Sequence, residues 1–296
     1  MDTIRKLPAS AGAEWVLGGF ALLRRAPVAL GTLGALWGLL ASLVVTLGLA
    51  VPALGTILQL LVALAGPVLF AGLLWAVREV AHGRPALPGH LLQGWTEGRW
   101  PQLLATLLPQ VAAGLLLGVM LLVLVGPQQL QQLAQASEEL NAMAQAGQQP
   151  TPEEVEALVA GLPSGRILLW LLLGLAAAVA VAMTVFVAVP RILFDRRDGL
   201  AAMGDSLRAC LRNLPALAVF LLLVMVAIFA IYFGVLVLTL VVQLLAGPVV
   251  AMWIAQMLMM AVLMPLLAGA VHTAWSQLFG QAAPVATAVA SSQFEA

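Results

Sequence analysis

Residues 213–250 read NLPALAVFLLLVMVAIFAIYFGVLVLTLVVQLLAGPVV, and the chain carries no Asp, Glu, Lys or Arg from Asn213 to Phe294. One charged side chain at the centre of a membrane helix costs about 2.5–3.5 kcal/mol, so such a segment is typical of membrane-spanning sequence. A bilayer core takes about 20 apolar helical residues, which gives the segment room for two spans. Gly247 and Pro248 divide it, because both residue types favour the end of a helix.

Three more segments lack these charges, namely residues 26–77, 100–137 and 167–190. The first is long enough for two spans, which Pro52 and Gly55 separate, and the other two hold one span each. The sequence therefore predicts six transmembrane helices, at residues 28–51, 55–77, 102–125, 167–189, 215–245 and 249–275. We expect the first to be retained, since its apolar run is far longer than the roughly 7–15 residues of a signal peptide.

The composition agrees with this prediction. Of the 296 residues, 62% are hydrophobic and 9% are charged, and the mean hydropathy is +1.05. Globular proteins carry about 25% charged residues. The formal net charge of zero provides no basic field that would attract nucleic acid. We predict an all-α integral membrane protein with no nucleic-acid partner.

The basic residues predict the orientation of the six helices. Of the 13 Lys and Arg residues, only Arg166 falls on one side of the predicted membrane. The other side holds Arg5, Lys6, Arg24, Arg25, Arg78, Arg84, Arg99, Arg191, Arg196, Arg197, Arg208 and Arg212. Because basic loops stay inside, both termini and the loops after the second and fourth spans are predicted to be cytoplasmic.

These assignments divide the chain into three parts. Residues 1–27 form a cytoplasmic N-terminus with an amphipathic helix, residues 28–279 form the membrane domain, and residues 280–296 form a disordered cytoplasmic tail. The loop at 126–166 is extracytoplasmic. Its residues 151–154, Thr-Pro-Glu-Glu, resemble a helix start and predict a short amphipathic helix there, and residues 128–135 predict another. A solvated connecting hairpin and a partner contact are alternative roles for this loop.

A threefold repeat is also predicted. A polar or basic residue lies two positions before a proline at the start of each odd-numbered span, in Arg25-Ala26-Pro27, Arg99-Trp100-Pro101 and Asn213-Leu214-Pro215. Counting 13 residues from Phe70, Phe186 and Leu267 reaches a glycine each time. The pattern indicates three hairpins of one orientation, each preceded by a cytoplasmic amphipathic helix, the clearest at 196–213. A chance match is the alternative.

Six residues are candidate contacts for lipid headgroups: Arg24, Arg25, Arg191, Arg208, Arg212 and His272. Each cation near an anionic membrane surface contributes about 1 kcal/mol of electrostatic attraction to it. The alternative is that these cations bind no lipid and only fix the topology. In the predicted repeat, His272 occupies the same position as Trp75 and Arg191. The three would then surround a pocket for an anionic headgroup, or they are separate interfacial anchors.

One segment carries a family resemblance. Residues 199–208, GLAAMGDSLR, followed by Asn213, resemble the pattern "G-x-x-A, then S, then N" in the membrane domains of some glycerophosphodiester phosphodiesterases. This segment and residues 19–30, GFALLRRAPVAL, are also similar to six-span proteins of the YciC-type family, whose function is unknown. The resemblance implies a bacterial inner-membrane location and no catalytic activity.

The residues that would indicate a reaction are sparse. Three His residues and one Cys have no metal-ligand spacing, and no phosphate-binding loop or nucleophile motif occurs. We therefore predict no catalytic residue, cofactor or metal. The leading hypothesis is a non-enzymatic accessory or scaffold that binds lipid, a membrane-protein partner or a second copy of itself. The alternative is a passive permease or lipid-handling transporter, and an enzyme acting on lipids ranks last.

Overall fold

The computed structural model of the protein describes residues 4–145, 147, 151 and 163–280. All regular structure in these residues is helical. Six helical segments are long and apolar enough to cross a membrane: Pro27–Ala50, Ala53–Ala81, Trp100–Leu124, Ser164–Phe194, Leu214–Ala246 and Pro248–Phe279. Six helices of this kind, one at each predicted span, are thus confirmed. The predicted helix after Thr151 and the tail after Gly280 lie outside the described residues.

The described residues contain twelve α-helices. They are α1 (Ala11–Arg25), α2 (Pro27–Ala50), α3 (Pro52–Ala81), α4 (Gln93–Thr96), α5 (Trp100–Leu104), α6 (Leu108–Leu124), α7 (Pro127–Gln145), α8 (Ser164–Val185), α9 (Ala188–Phe194), α10 (Gly199–Arg212), α11 (Leu214–Ala246) and α12 (Pro248–Phe279). Proline occupies one of the first two positions of α2, α3, α5, α11 and α12. This position suits proline because its missing N–H would have no partner inside the helix.

The chain forms two compact units, Leu108–Ala182 and the remainder. Helices α6 and α7 and most of α8 belong to the smaller unit. Within it, the indole Nε1 of Trp170 donates a hydrogen bond of 2.9 Å to the Leu117 carbonyl, which joins α8 to α6. The larger unit contains the remaining helices and the buried residues discussed below.

Helix α1 packs against α11 and α12. Trp15 and Leu22 on its apolar face are buried, and Gly19 lies so close to the Leu266 carbonyl of α12 that a Cβ atom would not fit. The indole Nε1 of Trp15 donates a 2.9 Å hydrogen bond to Gln277 of α12. The apolar face of this helix is therefore covered by protein.

The predicted amphipathic helix before the third span is not present as one continuous α-helix. A short 3-10 helix (Pro88–Leu92) and the single turn of α4 replace it. Gly83 and Gly98 have positive φ at either end of this segment, and Pro88 begins its 3-10 helix. Glycine in this conformation and proline both end helices, so one long helix does not form here.

The fourth span breaks near its end, between Val185 and Ala188. Ser206 of α10 occupies the break: its hydroxyl donates to the Met183 carbonyl at 2.8 Å and accepts from the Val187 N–H at 3.1 Å. A side chain inserted into the helical hydrogen-bond ladder is a known cause of kinks. The span also reaches Phe194 rather than residue 189, and Arg191 therefore lies within it.

The main buried core lies where α9 meets the C-terminal halves of α3 and α12. It includes Leu74 and Val77 of α3, Ile192 of α9 and Ala268 of α12, each with essentially no exposed surface. By contrast, most side chains of α11 are exposed in the isolated chain. A second buried core joins α1, α10 and α11 to α12, and the first core, at these three helix ends, carries the candidate site.

Candidate functional site

The structure separates the six predicted headgroup contacts into two groups. Arg24 and Arg25 lie in the last turn of α1, and Arg208 and Arg212 lie on α10. These four side chains are exposed. Arg191 on α9 and His272 on α12 are buried, with 2% and 8% of their surface exposed. The two groups require different chemical interpretations.

Arg191 is held by carboxylates. Its Nη1 donates to Asp195 at 2.8 Å and its Nη2 donates to Asp205 at 3.0 Å. Its guanidinium also stacks 4.2 Å from the ring centroid of Phe279. Asp205 belongs to α10 and Phe279 to α12. This buried position differs from the surface position that we expected, and Arg191 joins three helices.

Asp195 and Asp205 each accept a hydrogen bond from a further side chain. Arg197 contacts Asp205 at 3.2 Å, and the indole Nε1 of Trp275 donates to Asp195 at 2.9 Å. Burial raises the pKa of Asp205, but hydrogen bonds and positive charge from Arg191 and Arg197 outweigh it, so the pKa lies below its ordinary value. Asp205 therefore carries a negative charge at neutral pH, which compensates the buried Arg191.

An aromatic cluster surrounds His272. Phe194 lies at its centre, with ring centroids 6.1 Å from Trp75, 6.3 Å from His272 and 5.1 Å from Trp275. The guanidinium of Arg78 lies over the Phe194 ring, 4.6 Å from its centroid. The C-terminal end of α3, all of α9 and the C-terminal end of α12 thus meet in one place. Trp75 and His272, two members of the pocket suggested by the sequence, are brought together here.

Arg78 replaces Arg191 as the cation of this cluster. It was not among the predicted site residues. The sequence does contain a pattern that points to Arg78, because it lies eight residues after Phe70. Phe194 and Trp275 lie at the equivalent positions of the other two predicted repeats. Applying the predicted repeat to this position would have identified Arg78.

Two buried nitrogen atoms of the cluster, Nε of Arg78 and Nε2 of His272, have no hydrogen-bond partner among the described residues. The carboxylates that lie nearest along the chain are engaged elsewhere. Glu79 forms an ion pair with Arg84, and Asp195 pairs with Arg191. Buried polar groups in folded proteins are normally satisfied, so two such nitrogens in one cluster call for an explanation.

The residues that carried the family resemblance have packing roles. Gly199 lies against the Gln102 carbonyl, where a Cβ atom would approach within 2.9 Å. Ser206 bridges the helix break. Asn213 is buried, accepts from the Leu7 N–H at 2.7 Å and donates to the Arg5 carbonyl at 3.1 Å. These contacts hold the N-terminal segment and α10 in place.

A transport path would be lined by polar side chains of the spans. Gln59, Gln110 and Gln243 are exposed, and Gln256 is partly buried. Thr239 donates to the Val235 carbonyl of its own helix at 2.7 Å. Within the part of the chain that the structure describes, no group of three or more His, Cys, Asp or Glu is placed to hold a metal ion.

Comparison of the chain with protein-family models, with curated proteins and with solved structures finds no match in any of the three. The similarity to YciC-type proteins thus stays a prediction. The chemistry of the two groups of cations is the basis for the functional proposals that follow.

Proposed function

We propose that this protein is a non-enzymatic membrane protein of the bacterial inner membrane that binds anionic lipid headgroups at its cytoplasmic surface. The observation that carries the proposal is the exposure of Arg24, Arg25, Arg208 and Arg212. Three of them, Arg24, Arg25 and Arg212, form no ion pair with any described residue, whereas the buried Arg191 is neutralised. Exposed cations beside a membrane attract anionic lipid at about 1 kcal/mol each.

The charge distribution supports the orientation in this proposal. The exposed arginines belong to the twelve basic residues on one side of the spans, opposite Arg166. Under the positive-inside rule that side faces the cytoplasm, where anionic lipids give the membrane surface its negative potential. Both termini would lie on the same side.

The threefold repeat is part of the proposal. Its equivalent positions Arg78, Phe194 and Trp275 are neighbours in space, with the Arg78 guanidinium 4.6 Å and the Trp275 ring 5.1 Å from the Phe194 ring. Their helices α3, α9 and α12 would thus be the same element of three hairpins. Helices α1 and α10 would be the amphipathic helices that precede the first and third hairpins.

The passive permease stays a second hypothesis without a specific observation in its favour. It needs polar groups that line a path through the membrane. The exposed Gln59, Gln110 and Gln243 would instead contact lipid, a partner or a second copy of the chain.

The test replaces Arg24, Arg25, Arg208 and Arg212 with Gln in the full chain. Native mass spectrometry then counts the phosphatidylglycerol molecules retained by the protein. We expect the fourfold variant to lose most of its retained anionic lipid, because each lost cation removes about 1 kcal/mol of attraction.

The matched control changes the same four residues to Lys, which keeps the charge and should keep the lipid. Higher salt should weaken retention by the unchanged protein, because exposed charges are screened. Equal retention by the Gln variant and the unchanged protein would refute the proposal.

A further inference from the structure

The cluster of Trp75, Arg78, Phe194, His272 and Trp275 combines features that packing alone does not require. His272 is more than nine-tenths buried, and its Nε2 has no hydrogen-bond partner among the described residues. The Nε of Arg78 is in the same situation. Both side chains pack against the ring of Phe194. A buried donor without a partner costs free energy, so a bound group that accepts from both would be stabilising.

The charge of the cluster selects the kind of group. Arg78 has no carboxylate within ion-pair distance among the described residues, because Glu79 is paired with Arg84 and Asp195 with Arg191. Its positive charge is stabilised by the faces of Trp75 and Phe194, at 5.9 and 4.6 Å. Asp195 accepts the indole N–H of Trp275 beside the cluster, but its charge is balanced by Arg191, so Arg78 is the cation that an anion meets there.

The partial exposure of the cluster gives such an anion a way in. Trp75, Arg78 and Phe194 are each partly exposed, whereas His272 is buried. A guanidinium offers donors that match the oxygen atoms of a phosphate, and a neutral imidazole adds one N–H donor. Trp residues favour the membrane interface, where lipid phosphates lie.

We propose that Arg78 and His272 form a discrete binding site for a phosphate oxyanion, with Trp75, Phe194 and Trp275 as its walls. Arg78 donates from Nε and His272 from Nε2 to oxygen atoms of one phosphate group. A phospholipid headgroup and free inorganic phosphate share this chemistry. The inference deepens the proposed function and rests on it for a membrane lipid as the source of the phosphate.

The experiment uses full-length protein in detergent and native mass spectrometry. The protein is titrated with phosphatidylglycerol, and in parallel with diacylglycerol, which has no phosphate. Arg78→Gln removes the cation of the site. Its matched control, Arg5→Gln, removes one exposed cation that forms no ion pair with the described residues.

We expect Arg78→Gln to retain phosphatidylglycerol about tenfold more weakly than Arg5→Gln and the unchanged protein, as the loss of a charge-assisted hydrogen bond implies. His272→Phe should weaken retention similarly, whereas His272→Gln, which keeps an N–H donor, should restore part of it. The His272 variants give the same comparison if Arg78→Gln does not fold. Thermal unfolding of each variant separates a binding defect from a folding defect.

Inorganic phosphate distinguishes the two sources. Displacement of the lipid by millimolar phosphate would assign the site to free phosphate as well as to headgroups, and retention of the lipid would assign it to headgroups alone. Both results require the oxyanion site. Equal retention by Arg78→Gln and Arg5→Gln, or equal binding of diacylglycerol, would overturn it.

The two proposals fail in different ways. Loss of lipid in the fourfold surface variant, with normal binding in Arg78→Gln, would leave the proposed function intact and overturn this site. Loss in Arg78→Gln alone would support the site and contradict binding by the exposed arginines.

Discussion

Arg191 shows how a cation can be buried at the end of a membrane span. Its two carboxylate partners and the Phe279 ring replace the water that the charge loses. Removing one partner of a buried ion pair leaves an uncompensated charge and destabilises the protein. Replacing both partners with apolar groups often has little effect on the free energy of unfolding. This asymmetry can be measured.

We predict that Asp205→Asn lowers the free energy of unfolding by about 1.5–3 kcal/mol, because Arg191 loses one of its two carboxylate partners and keeps Asp195. The double variant Arg191→Met with Asp205→Asn should be less destabilised than the sum of the two single variants. Denaturant or thermal unfolding is measured in one detergent for the unchanged protein, the two single variants and the double variant, which together form a double-mutant cycle. Strict additivity would show that the pair does not act as a unit.

The same carboxylate predicts a dependence of stability on pH. The pKa of Asp205 is lower in the folded protein than its ordinary value of 3.8. Its contribution to stability is therefore fully present above the unfolded pKa and is lost as the pH falls through the folded pKa. We expect the unfolding temperature to fall below about pH 4 in the unchanged protein.

Asp205→Asn is the control for this effect. The variant starts from a lower unfolding temperature, and its decrease below the same pH should be shallower, since it lacks the titrating group. Parallel curves for the two proteins would assign the acid sensitivity to other carboxylates.

At the scale of elements, the fourth span depends on a residue from another helix. The break between α8 and α9 leaves the Met183 carbonyl and the Val187 N–H without their helical bond, and the Ser206 hydroxyl satisfies both. The serine has no exposed surface. Water therefore cannot replace it without a rearrangement.

We predict that Ser206→Ala destabilises the protein by about 1–3 kcal/mol, the cost of leaving buried backbone groups unsatisfied. Ser276→Ala is the matched control, because Ser276 donates only to the Thr273 carbonyl of its own helix and is partly exposed. The midpoint of thermal unfolding measures both changes. A Ser206 variant as stable as the Ser276 variant would contradict the bridging role.

The segment before the third span illustrates a limit of pattern reading at this scale. The Arg99-Trp100-Pro101 match predicted an amphipathic helix there, but Gly83 and Gly98 bound the segment, and Pro88 begins a short 3-10 helix that continues into α4. The helix-ending residues were visible in the sequence. The prediction followed the repeat pattern. Glycine and proline act directly on the local backbone and therefore have the stronger effect on where a helix ends.

At the scale of the whole molecule, the proposed orientation makes a further prediction. A cytoplasm-dependent reporter fused after Ala296 should be active, and a periplasm-dependent reporter at the same point inactive, because the basic residues favour the cytoplasm. Fusions after Gly147 should give the opposite result. Activity of the periplasmic reporter after Ala296 would contradict the orientation.

The sequence by itself determined the six spans and their limits to within a few residues. The free energy of inserting a segment into a bilayer depends on the charges of that segment alone, which the sequence shows directly. It also suggested that Trp75 and His272 belong together. Only the tertiary structure decided that Arg78, and not Arg191, is the cation beside them. Both arginines lie near a span end, and their partners come from other helices: Asp205 for Arg191, and Phe194 for Arg78. Which cation is neutralised depends on contacts between residues distant in sequence, and periodicity and charge counting do not contain that information.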